Sequence, residues 1–573
     1  MGPVMPCWKF CTLKRGLMPV EEPAVCRERA EEYRRRGWWR PELLDEMALL
    51  GARTRPHACA LVDGERRMSH AQLAAGVTRA AAYLRSLGIR RGDRVLVQLP
   101  NSLELAVLLL ALCRMGAPAV LASPVLRSHE LDRITSITEP TAVAAPGIVD
   151  GFDYLNLARA LRSRHPSIAL LLITDRTRQL QQGEAVFDSE CGHSPEPAPA
   201  ACGEEPASPS ETALYLHSSG TTGPAKLMAR THEDYGCLIR ATSEVLGVSS
   251  DWVYLAVPQL TQTFALSNPG LLGVLAAGGT VVIAPANRTP EALRLIEREG
   301  VTHTSTSPTG LRQLLAADRM GRDLSTLRVV QVGGAILQSH EVRAATHALD
   351  CHVQQVYGMS EGMVSLTRLD DPPHVLTHAQ GRPVGAGTEI RITTGSGISA
   401  APGESGELLT RGPSVIPGYF RDPPATRQAF TEDGFYRTGD LVRQDESGNL
   451  AVVGRIKNLI NWSALKICAE ELEALAGIHP AVADCAAVGK PHDIYGETVC
   501  LFLTLRPGQD PPLLEEMRSF LKEEGIAVYK LPQRMEVLDT LPMVGNGKAD
   551  RAALRSLAAS LAGRAAHPDT GDR

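Results

Sequence analysis

Residues 215–226 read Tyr-Leu-His-Ser-Ser-Gly-Thr-Thr-Gly-Pro-Ala-Lys and bring hydroxyl groups, glycines and a lysine into one short run. Glycine lets the backbone turn tightly and bring its N–H groups close to an anion, and hydroxyl groups add further donors. The residues that could contact an anion are Ser218, Ser219, Gly220, Thr221, Thr222, Gly223 and Lys226. This chemistry suits a polyphosphate, although the run lacks the Gly-Lys-Ser/Thr of the Walker pattern. A lone tract of this composition is typical of a flexible linker, so the interpretation depends on the motifs that follow.

Four further motifs each place a charged side chain close to a glycine. They are Gln-Val-Tyr-Gly-Met-Ser-Glu at 355–361, Tyr-Arg-Thr-Gly-Asp at 436–440, Gly-Arg-Ile-Lys-Asn-Leu-Ile at 454–460 and Gly-Asn-Gly-Lys at 545–548. Taken singly, Glu361 is more typical of a surface carboxylate, and Asp440 of a turn residue after Gly439. Taken together with Lys548 in a glycine-flanked loop, they favour one common site.

In this order, and over about residues 30–560, the five motifs resemble those of the adenylate-forming superfamily of acyl-CoA synthetases, peptide-synthetase adenylation domains and luciferases. Segments 226–235 and 354–371, with the Arg-Gly-Trp-Trp element near the N-terminus, are similar to the stand-alone ligases of siderophore pathways that activate 2,3-dihydroxybenzoate or salicylate. The resemblance implies that ATP and Mg²⁺ are used to convert an aromatic or heteroaromatic carboxylic acid to an acyl-adenylate, with release of pyrophosphate. It also implies transfer to the phosphopantetheine thiol of a separate carrier protein in siderophore or natural-product biosynthesis.

The reaction explains why charged residues are needed. A carboxylate must attack the α-phosphorus of ATP, and because both reactants are anions the site must supply cations and hydrogen-bond donors. By resemblance, Lys548 bridges the attacking carboxylate and the α-phosphate, and Glu361 binds Mg²⁺, which screens the phosphates. Lys457 falls at 454–458, where the family places a hinge about which a small domain rotates between two half-reactions.

The resemblance also assigns the residues that hold the nucleotide. Tyr357 stacks on the adenine beside the Gly-Gly-Ala loop at 333–335. Asp440 accepts hydrogen bonds from the ribose hydroxyls, because an ionised carboxylate is only an acceptor. The full set assigned to ATP or AMP is Ser218, Ser219, Gly220, Thr221, Thr222, Gly223, Lys226, Gly333, Gly334, Ala335, Tyr357, Gly358, Ser360, Asp440 and Arg455.

The positions that match the acid-binding residues of the aryl-acid ligases depart from the family pattern. They are Gln262, Thr263, Phe264, Asn268 and Val364. Thr263 and Asn268 stand where those ligases carry an asparagine and a serine that help recognise the ortho-hydroxyl group. A pocket built for a substrate hydroxyl discriminates through that hydrogen bond. We therefore hypothesise a flat aromatic or heteroaromatic acid with a different ring substituent, which Thr263 and Asn268 face.

Two further departures concern the second half-reaction. Residues 463–464 are Ser-Ala where relatives usually have Gly-Gly, and Asn458 replaces the more usual aspartate. A glycine pair lets a phosphopantetheine arm pass close to the backbone. The acceptor therefore stays open between a carrier-protein thiol, CoA and an amine, so an aryl-CoA ligase and a direct amide synthetase are alternatives. An inactive scaffold or binding homologue is a third, which the intact Lys548, Glu361 and Asp440 disfavour.

Short apolar runs alternate with helical stretches over 91–200 and 252–340, which predicts α/β units around a largely parallel sheet. Short strands with Gly/Pro turns predict a β-rich subdomain at 386–453. We expect a large N-terminal domain that combines αβ subdomains with this β-rich subdomain, and a small mobile α+β C-terminal domain. The predicted parts are an adenylation core at 1–453 with a surface loop at 192–210, a hinge at 454–458, the small domain at 459–563 and a disordered tail at 564–573.

Composition disfavours several other classes of protein. With 573 residues, 44% hydrophobic and 21% charged, the chain is typical of a soluble globular protein of several domains. A net charge of −5 and an aromatic content of 4% disfavour nucleic acid or an anionic membrane as a partner. The most apolar run, 103–115, is too short to span a bilayer. The cysteines form no CxxC pair, and the N-terminus lacks the apolar core of a signal peptide. Together these features predict a cytoplasmic protein with reduced thiols.

Overall fold

The chain divides into two compact units. The computed structural model describes residues 25–189, 206–218, 226–285, 289–317, 321–395, 397–462, 465–492, 495–524, 526, 528–544 and 548–561. The first unit holds the described parts of Met1–Ser218, Pro224–Ile390 and Thr410–Arg437, and the second those of Arg391–Leu409 and Thr438–Arg573. Residues 219–223, 463–464 and 564–573, and most of the predicted loop at 192–210, lie outside the described residues. The predicted domain bounds at 453 and 459 stay a prediction.

The first unit contains two large sheets. Its strands are β1 (Cys59–Asp63), β2 (Arg66–Ser69), β3 (Val95–Val97), β4 (Ala119–Leu121), β5 (Ala142–Ala145), β6 (Ile148–Val149), β7 (Phe152–Asp153), β8 (Leu170–Ile173), β9 (Glu184–Val186), β10 (Thr212–His217), β11 (Leu227–Thr231), β12 (Val253–Ala256), β13 (Thr280–Ile283), β14 (His303–Thr306), β15 (Val329–Gly333), β16 (His352–Gly358), β17 (Val364–Leu366) and β18 (Arg382–Pro383). Within the described residues, nine strands follow the order β18-β17-β16-β15-β14-β12-β13-β1-β2 and seven the order β11-β10-β4-β3-β5-β8-β9. Neighbouring strands from β16 to β1, and from β10 to β9, are parallel, so the predicted α/β fold class is confirmed.

Helices flank these sheets. They are α1 (Arg27–Arg35), α2 (Leu44–Ala48), α3 (Gly51–Thr54), α4 (His70–Ser86), α5 (Leu103–Met115), α6 (Ser128–Thr138), α7 (Tyr154–Arg164), α8 (His232–Leu246), α9 (Thr263–Ser267), α10 (Gly270–Ala276), α11 (Thr289–Glu299), α12 (Pro308–Ala316), α13 (Ser339–Leu349), α14 (Pro373–His378) and α15 (Pro423–Ala429). The apolar run at 103–115 is α5, which Ser102 caps by accepting a hydrogen bond from the N–H of Leu105 and which ends at the left-handed Gly116. It is buried in the protein core, and in the described part of the chain no helix is long and apolar enough to cross a bilayer.

The core that supports the nine-stranded sheet lies between its strands and the helices α11, α12 and α13. Leu255, Val282 and Val330 of the sheet and Leu293 and Leu311 of the helices are at most 1% exposed. Each such side chain contributes about 1.5–3 kcal/mol when it leaves water. The sheet is therefore a rigid base for the loops at its carboxyl edge, where the predicted nucleotide-binding residues follow β15 and β16.

The second unit is smaller and contains mostly antiparallel strands. The remaining strands are β19 (Glu389–Thr393), β20 (Gly406–Arg411), β21 (Tyr436–Gln444), β22 (Leu450–Arg455), β23 (Leu459–Trp462), β24 (Leu465–Cys468), β25 (Val482–His492), β26 (Gly496–Leu505), β27 (Arg534–Val537), β28 (Met543–Val544) and β29 (Lys548–Ala549). The strands β19-β20-β21-β22 form one sheet, β24-β23-β26-β25 with β27 a second, and β28-β29 a hairpin. The helices are α16 (Ala469–Ala476), α17 (Leu514–Glu523) and α18 (Arg551–Ser560). Among the described residues, the cysteines are free and five of them are buried.

Candidate active site

The loops that follow β15 and β16 lie side by side at the carboxyl edge of the nine-stranded sheet. Ligands of open α/β sheets bind at this edge. Gly333 ends β15, and a Cβ atom there would lie 2.9 Å from the carbonyl oxygen of Val356 and 3.3 Å from the ring of Phe264. Gly334 has φ +90°, a conformation that favours glycine. The predicted adenine loop is thus tight, and it packs against Phe264, one of the predicted acid-binding residues.

Glu361 lies in a pocket of tyrosines. Its carboxylate is buried, and its Oε1 atom accepts a hydrogen bond of 2.9 Å from the hydroxyl of Tyr419. The hydroxyl of Tyr436 lies 3.3 Å from that of Tyr419. Burial, with the nearby carboxylate of Glu361, raises the pKa of both phenols well above the usual value. Both tyrosines therefore stay protonated at neutral pH. The hydroxyl of Tyr419 thus remains a hydrogen-bond donor to the carboxylate of Glu361.

A single carboxylate at this position fits Mg²⁺ rather than a metal that needs a cluster of ligands. Mg²⁺ is usually held by one or two carboxylates together with substrate phosphates and water. Among the described residues, no group of three His, Cys, Asp or Glu side chains could hold a metal ion. Glu361 supplies a hard carboxyl oxygen beside the hydroxyl groups of Tyr419 and Tyr436.

The ends of the predicted phosphate loop are joined by the β10–β11 hairpin. The N–H of Ser218 donates to the carbonyl of Lys226 at 2.9 Å, and the N–H of Lys226 donates to the Ser218 hydroxyl at 3.0 Å. The Lys226 ammonium lies 4.7 Å from the centre of the Tyr419 ring. Residues 219–223 between these ends are outside the described residues. The described part therefore brings one predicted phosphate-binding cation next to the tyrosine that holds Glu361.

Four of the predicted acid-binding residues lie on or directly beside the short helix α9, and Val364 lies on β17. Thr263 is buried, and its Oγ1 atom lies 3.4 Å from the hydroxyl of Ser360. Asn268 is 3% exposed, and no described residue forms a hydrogen bond with its side-chain oxygen. Val364 is buried opposite Gly358 in the β16–β17 pair, and a Cβ atom at Gly358 would lie 3.1 Å from it. Gln262 is exposed.

In the second unit, four of the predicted residues come together. Asp440 and Arg455 face each other in the β21–β22 pair, where Arg455 Nε lies 2.7 Å from Asp440 Oδ1. Lys548 lies on the β28–β29 hairpin. Burial, together with the positive charges of Arg455 and Lys457, lowers the pKa of Lys548 to about 8, and the carboxylate of Asp440 opposes the shift. The result is a cationic cluster around one buried carboxylate, which suits a polyanionic ligand.

Two residues that help form the site were not predicted from the sequence. Tyr419 and Arg230 are far along the chain from Glu361, and only the tertiary structure brings them to it. Arg230 is completely buried, and its Nη1 atom donates to the carbonyl of Ser360 at 2.8 Å. An arginine in a strand is usually exposed, so no sequence signal identified this one.

Two family models match the chain. Residues 50–420 match the family described as AMP-binding enzyme, and residues 471–548 match the AMP-binding enzyme C-terminal domain. The chain belongs to the family of AMP-binding enzymes. The first match covers more than half of this AMP-binding enzyme, and it confirms the resemblance that the five motifs indicated.

Relatives of this AMP-binding enzyme match it over nearly their full length. A 2-hydroxy-7-methoxy-5-methyl-1-naphthoate–CoA ligase from Streptomyces carzinostaticus is 40% identical over 93% of this chain and 96% of its own length. A salicyl-AMP ligase / salicyl-S-ArCP synthetase from Mycobacterium tuberculosis is 38% identical over 92% of this chain and 93% of its own. The apo structure of MbtA from Mycobacterium smegmatis is 36% identical, with a TM-score of 0.71 over 94% of this chain and 98% of MbtA.

Proposed function

We propose that this AMP-binding enzyme is an acid–AMP ligase that activates an aromatic or heteroaromatic carboxylic acid. The observation that supports this proposal most is the Asp440–Arg455 pair with Lys548 beside it. This cluster combines an acceptor for ribose hydroxyls with cations that can bind phosphates. A carboxylate oxygen of the acid forms a bond to the α-phosphorus, and the bond to the bridging oxygen of pyrophosphate breaks. The products are an acyl-adenylate and pyrophosphate.

In this proposal, each charged residue has its own role in the chemistry. The protonated Lys548 bridges the attacking carboxylate and the α-phosphate, so it stabilises the charge that develops between them. Asp440 and Arg455 orient the ribose and a phosphate. Lys226, at the end of the phosphate loop, attracts the leaving pyrophosphate. Glu361 would hold Mg²⁺, which when bound neutralises phosphate charge. We further propose that the small C-terminal domain, residues 459–563, moves about the hinge at 454–458.

The acid we propose carries a polar ring substituent that reaches Asn268. A buried amide oxygen without a partner costs about 1–3 kcal/mol, so a ligand that donates a hydrogen bond to it is favoured. The two relatives named above act, by their names, on acids with a hydroxyl group next to the carboxylate. Thr263 is shorter than the family's asparagine, which leaves room for a larger or shifted substituent near Ser360. Phe264 and Val364 supply apolar walls for a flat ring.

For the second half-reaction, we propose transfer of the acyl group to the phosphopantetheine thiol of a separate carrier protein. One relative is named as a salicyl-S-ArCP synthetase, which supports this acceptor. The other is named as a CoA ligase, which supports CoA as the second candidate. The thiol displaces AMP from the acyl-adenylate, forming a thioester bond as the mixed anhydride breaks.

The first experiment is ATP–pyrophosphate exchange with a panel of aryl, heteroaryl and aliphatic acids. In the second, mass spectrometry detects acyl transfer to CoA or to a carrier protein that bears a free phosphopantetheine thiol. We expect exchange with one group of substituted aromatic acids and none with long aliphatic acids. Lys548→Ala is the matched control, which should lose exchange while still binding ATP. Best activity with aliphatic acids would overturn the substrate proposal, and an absence of exchange with every acid would favour the scaffold alternative.

A further inference from the structure

Arg230 is a buried cation that the proposed chemistry does not use. Its side chain is 0% exposed, and each of its three nitrogens donates to a different partner. Nε donates to Asp234 Oδ1 at 2.7 Å, Nη1 to the carbonyl of Ser360 at 2.8 Å, and Nη2 to the carbonyl of Ser414 at 2.8 Å. A buried charge is retained only when it is paired and fully hydrogen-bonded, and here two of the partners are backbone groups of separate loops.

The two carbonyls belong to the loops that hold Glu361. Ser360 is the residue before Glu361, and the Glu361 carbonyl accepts a hydrogen bond of 2.8 Å from the N–H of Ile416. Gly362 has φ +123°, and a Cβ atom there would clash with the Ser414 carbonyl oxygen. The loop at 360–362 and the loop at 412–416 are therefore in direct backbone contact, and Arg230 joins them at a second point.

A second donor holds the 412–416 loop. The indole of Trp39, from the Arg-Gly-Trp-Trp element, donates to the carbonyl of Pro413 at 2.7 Å, and Trp39 is buried. Asp234, the carboxylate partner of Arg230, is itself fixed by the N–H of Thr231 at 2.9 Å. Both donors thus act on backbone carbonyls, and neither touches the Glu361 carboxylate.

We infer that Arg230 and Trp39 are positioning residues that set the direction of the Glu361 carboxylate toward the metal–nucleotide complex. This inference depends on the proposed function, in which Glu361 holds Mg²⁺. The planar fork of an arginine donates in three fixed directions, whereas a lysine at the same place is a point donor on a flexible stem. Arg230→Lys keeps the charge and loses the geometry, and Trp39→Phe keeps the ring and loses the donor.

The test is calorimetric binding of α,β-methylene-ATP to the full chain, with and without Mg²⁺ and without any acid. Partners that orient a metal ligand typically affect metal affinity by about 10–100-fold. We expect Arg230→Lys to weaken Mg²⁺-dependent binding by about 10-fold and Trp39→Phe to weaken it by a smaller factor. Binding without Mg²⁺ should stay as in the parent. A purely structural role would lower the melting temperature and weaken both kinds of binding together.

Arg368→Lys is the matched control, because Arg368 donates to the carbonyls of Leu366 and Arg382 instead. Glu361→Gln distinguishes a failure of the proposed metal role of Glu361 from a failure of the proposed positioning role of Arg230 and Trp39. If it leaves the Mg²⁺ dependence unchanged, the metal role in the proposed function fails. If it removes the dependence while Arg230→Lys and Trp39→Phe bind as the parent does, the positioning role fails. Should Arg230→Lys not fold, Trp39→Phe alone decides.

Discussion

The hydroxyl of Tyr419 donates a hydrogen bond of 2.9 Å to the carboxylate of Glu361, and the Tyr419 ring lies beneath the Lys226 ammonium at 4.7 Å. One tyrosine therefore links the residue proposed to hold Mg²⁺ with the end of the loop proposed to hold pyrophosphate. Its hydroxyl orients the anion, and its ring face attracts the cation. The neutral Tyr419 side chain thus interacts with both Glu361 and Lys226.

Removal of the Tyr419 hydroxyl should weaken catalysis more than stability. Tyr419→Phe keeps the ring near Lys226 and removes the hydroxyl that donates to Glu361 Oε1. A hydrogen bond to a charged group contributes about 1.5–3 kcal/mol, so we expect kcat/KM for Mg-ATP to fall about 10-fold or more. Steady-state exchange kinetics measure this. The control is Tyr254→Phe, whose buried hydroxyl contacts Ser305, and an equal loss in both variants would contradict the prediction.

The pH dependence of the adenylation rate should reflect the loss of the positive charge on Lys548. Because burial and neighbouring cations lower the pKa of Lys548 to about 8, its charge is present at pH 7 and is lost as the pH rises through about 8. The adenylation rate should therefore fall on the alkaline side with a midpoint near this value. Lys548→Arg, which stays charged, should remove that limb while lowering the rate. An alkaline limb that persists unchanged in the arginine variant would assign the titration to another group.

The charge of Asp440 should affect the pH at which Lys548 loses its proton. Its negative charge raises the pKa of Lys548, so Asp440→Asn should lower this pKa further and move the alkaline limb to lower pH. The same variant loses the acceptor proposed for the ribose and should raise KM for ATP. Asp445→Asn is the control, because Asp445 binds the turn residue Asn449 at the end of the same strand pair. A limb that moves to higher pH in Asp440→Asn would contradict the account.

Asn268 should decide which ring substituent is accepted. Asn268→Ser restores the residue type of the salicylate and 2,3-dihydroxybenzoate ligases, so exchange with 2-hydroxybenzoates should rise relative to the preferred acid of the parent. One hydrogen bond to a buried amide is worth about 0.5–1.5 kcal/mol net, which corresponds to a change in preference of about 2- to 10-fold. Asn156→Ser, the same substitution at an exposed position of α7, is the control. An unchanged ranking of acids would remove Asn268 from the acid site.

Elements with strong local signals were predicted, and long-range contacts were not. Helix α5 is predictable from local sequence, because an apolar run begins after Ser102 and ends before Gly116, both of which are local cap signals. The role of the Gly-Gly-Ala loop at 333–335 was predicted only through the family resemblance. The contact between Tyr419 and Glu361 spans 58 residues, and that between Arg230 and Ser360 spans 130. Such contacts depend on strand order, which periodicity does not encode.

In the proposed reaction, an oxygen of the acid attacks the α-phosphorus of ATP. A carboxylic acid labelled with ¹⁸O in both carboxyl oxygens tests this step, with the purified chain, Mg²⁺, ATP and an acceptor thiol. We expect mass spectrometry to find one ¹⁸O in the phosphate group of AMP and none in pyrophosphate. Formation of ADP, or label in inorganic phosphate or pyrophosphate, would contradict this mechanism.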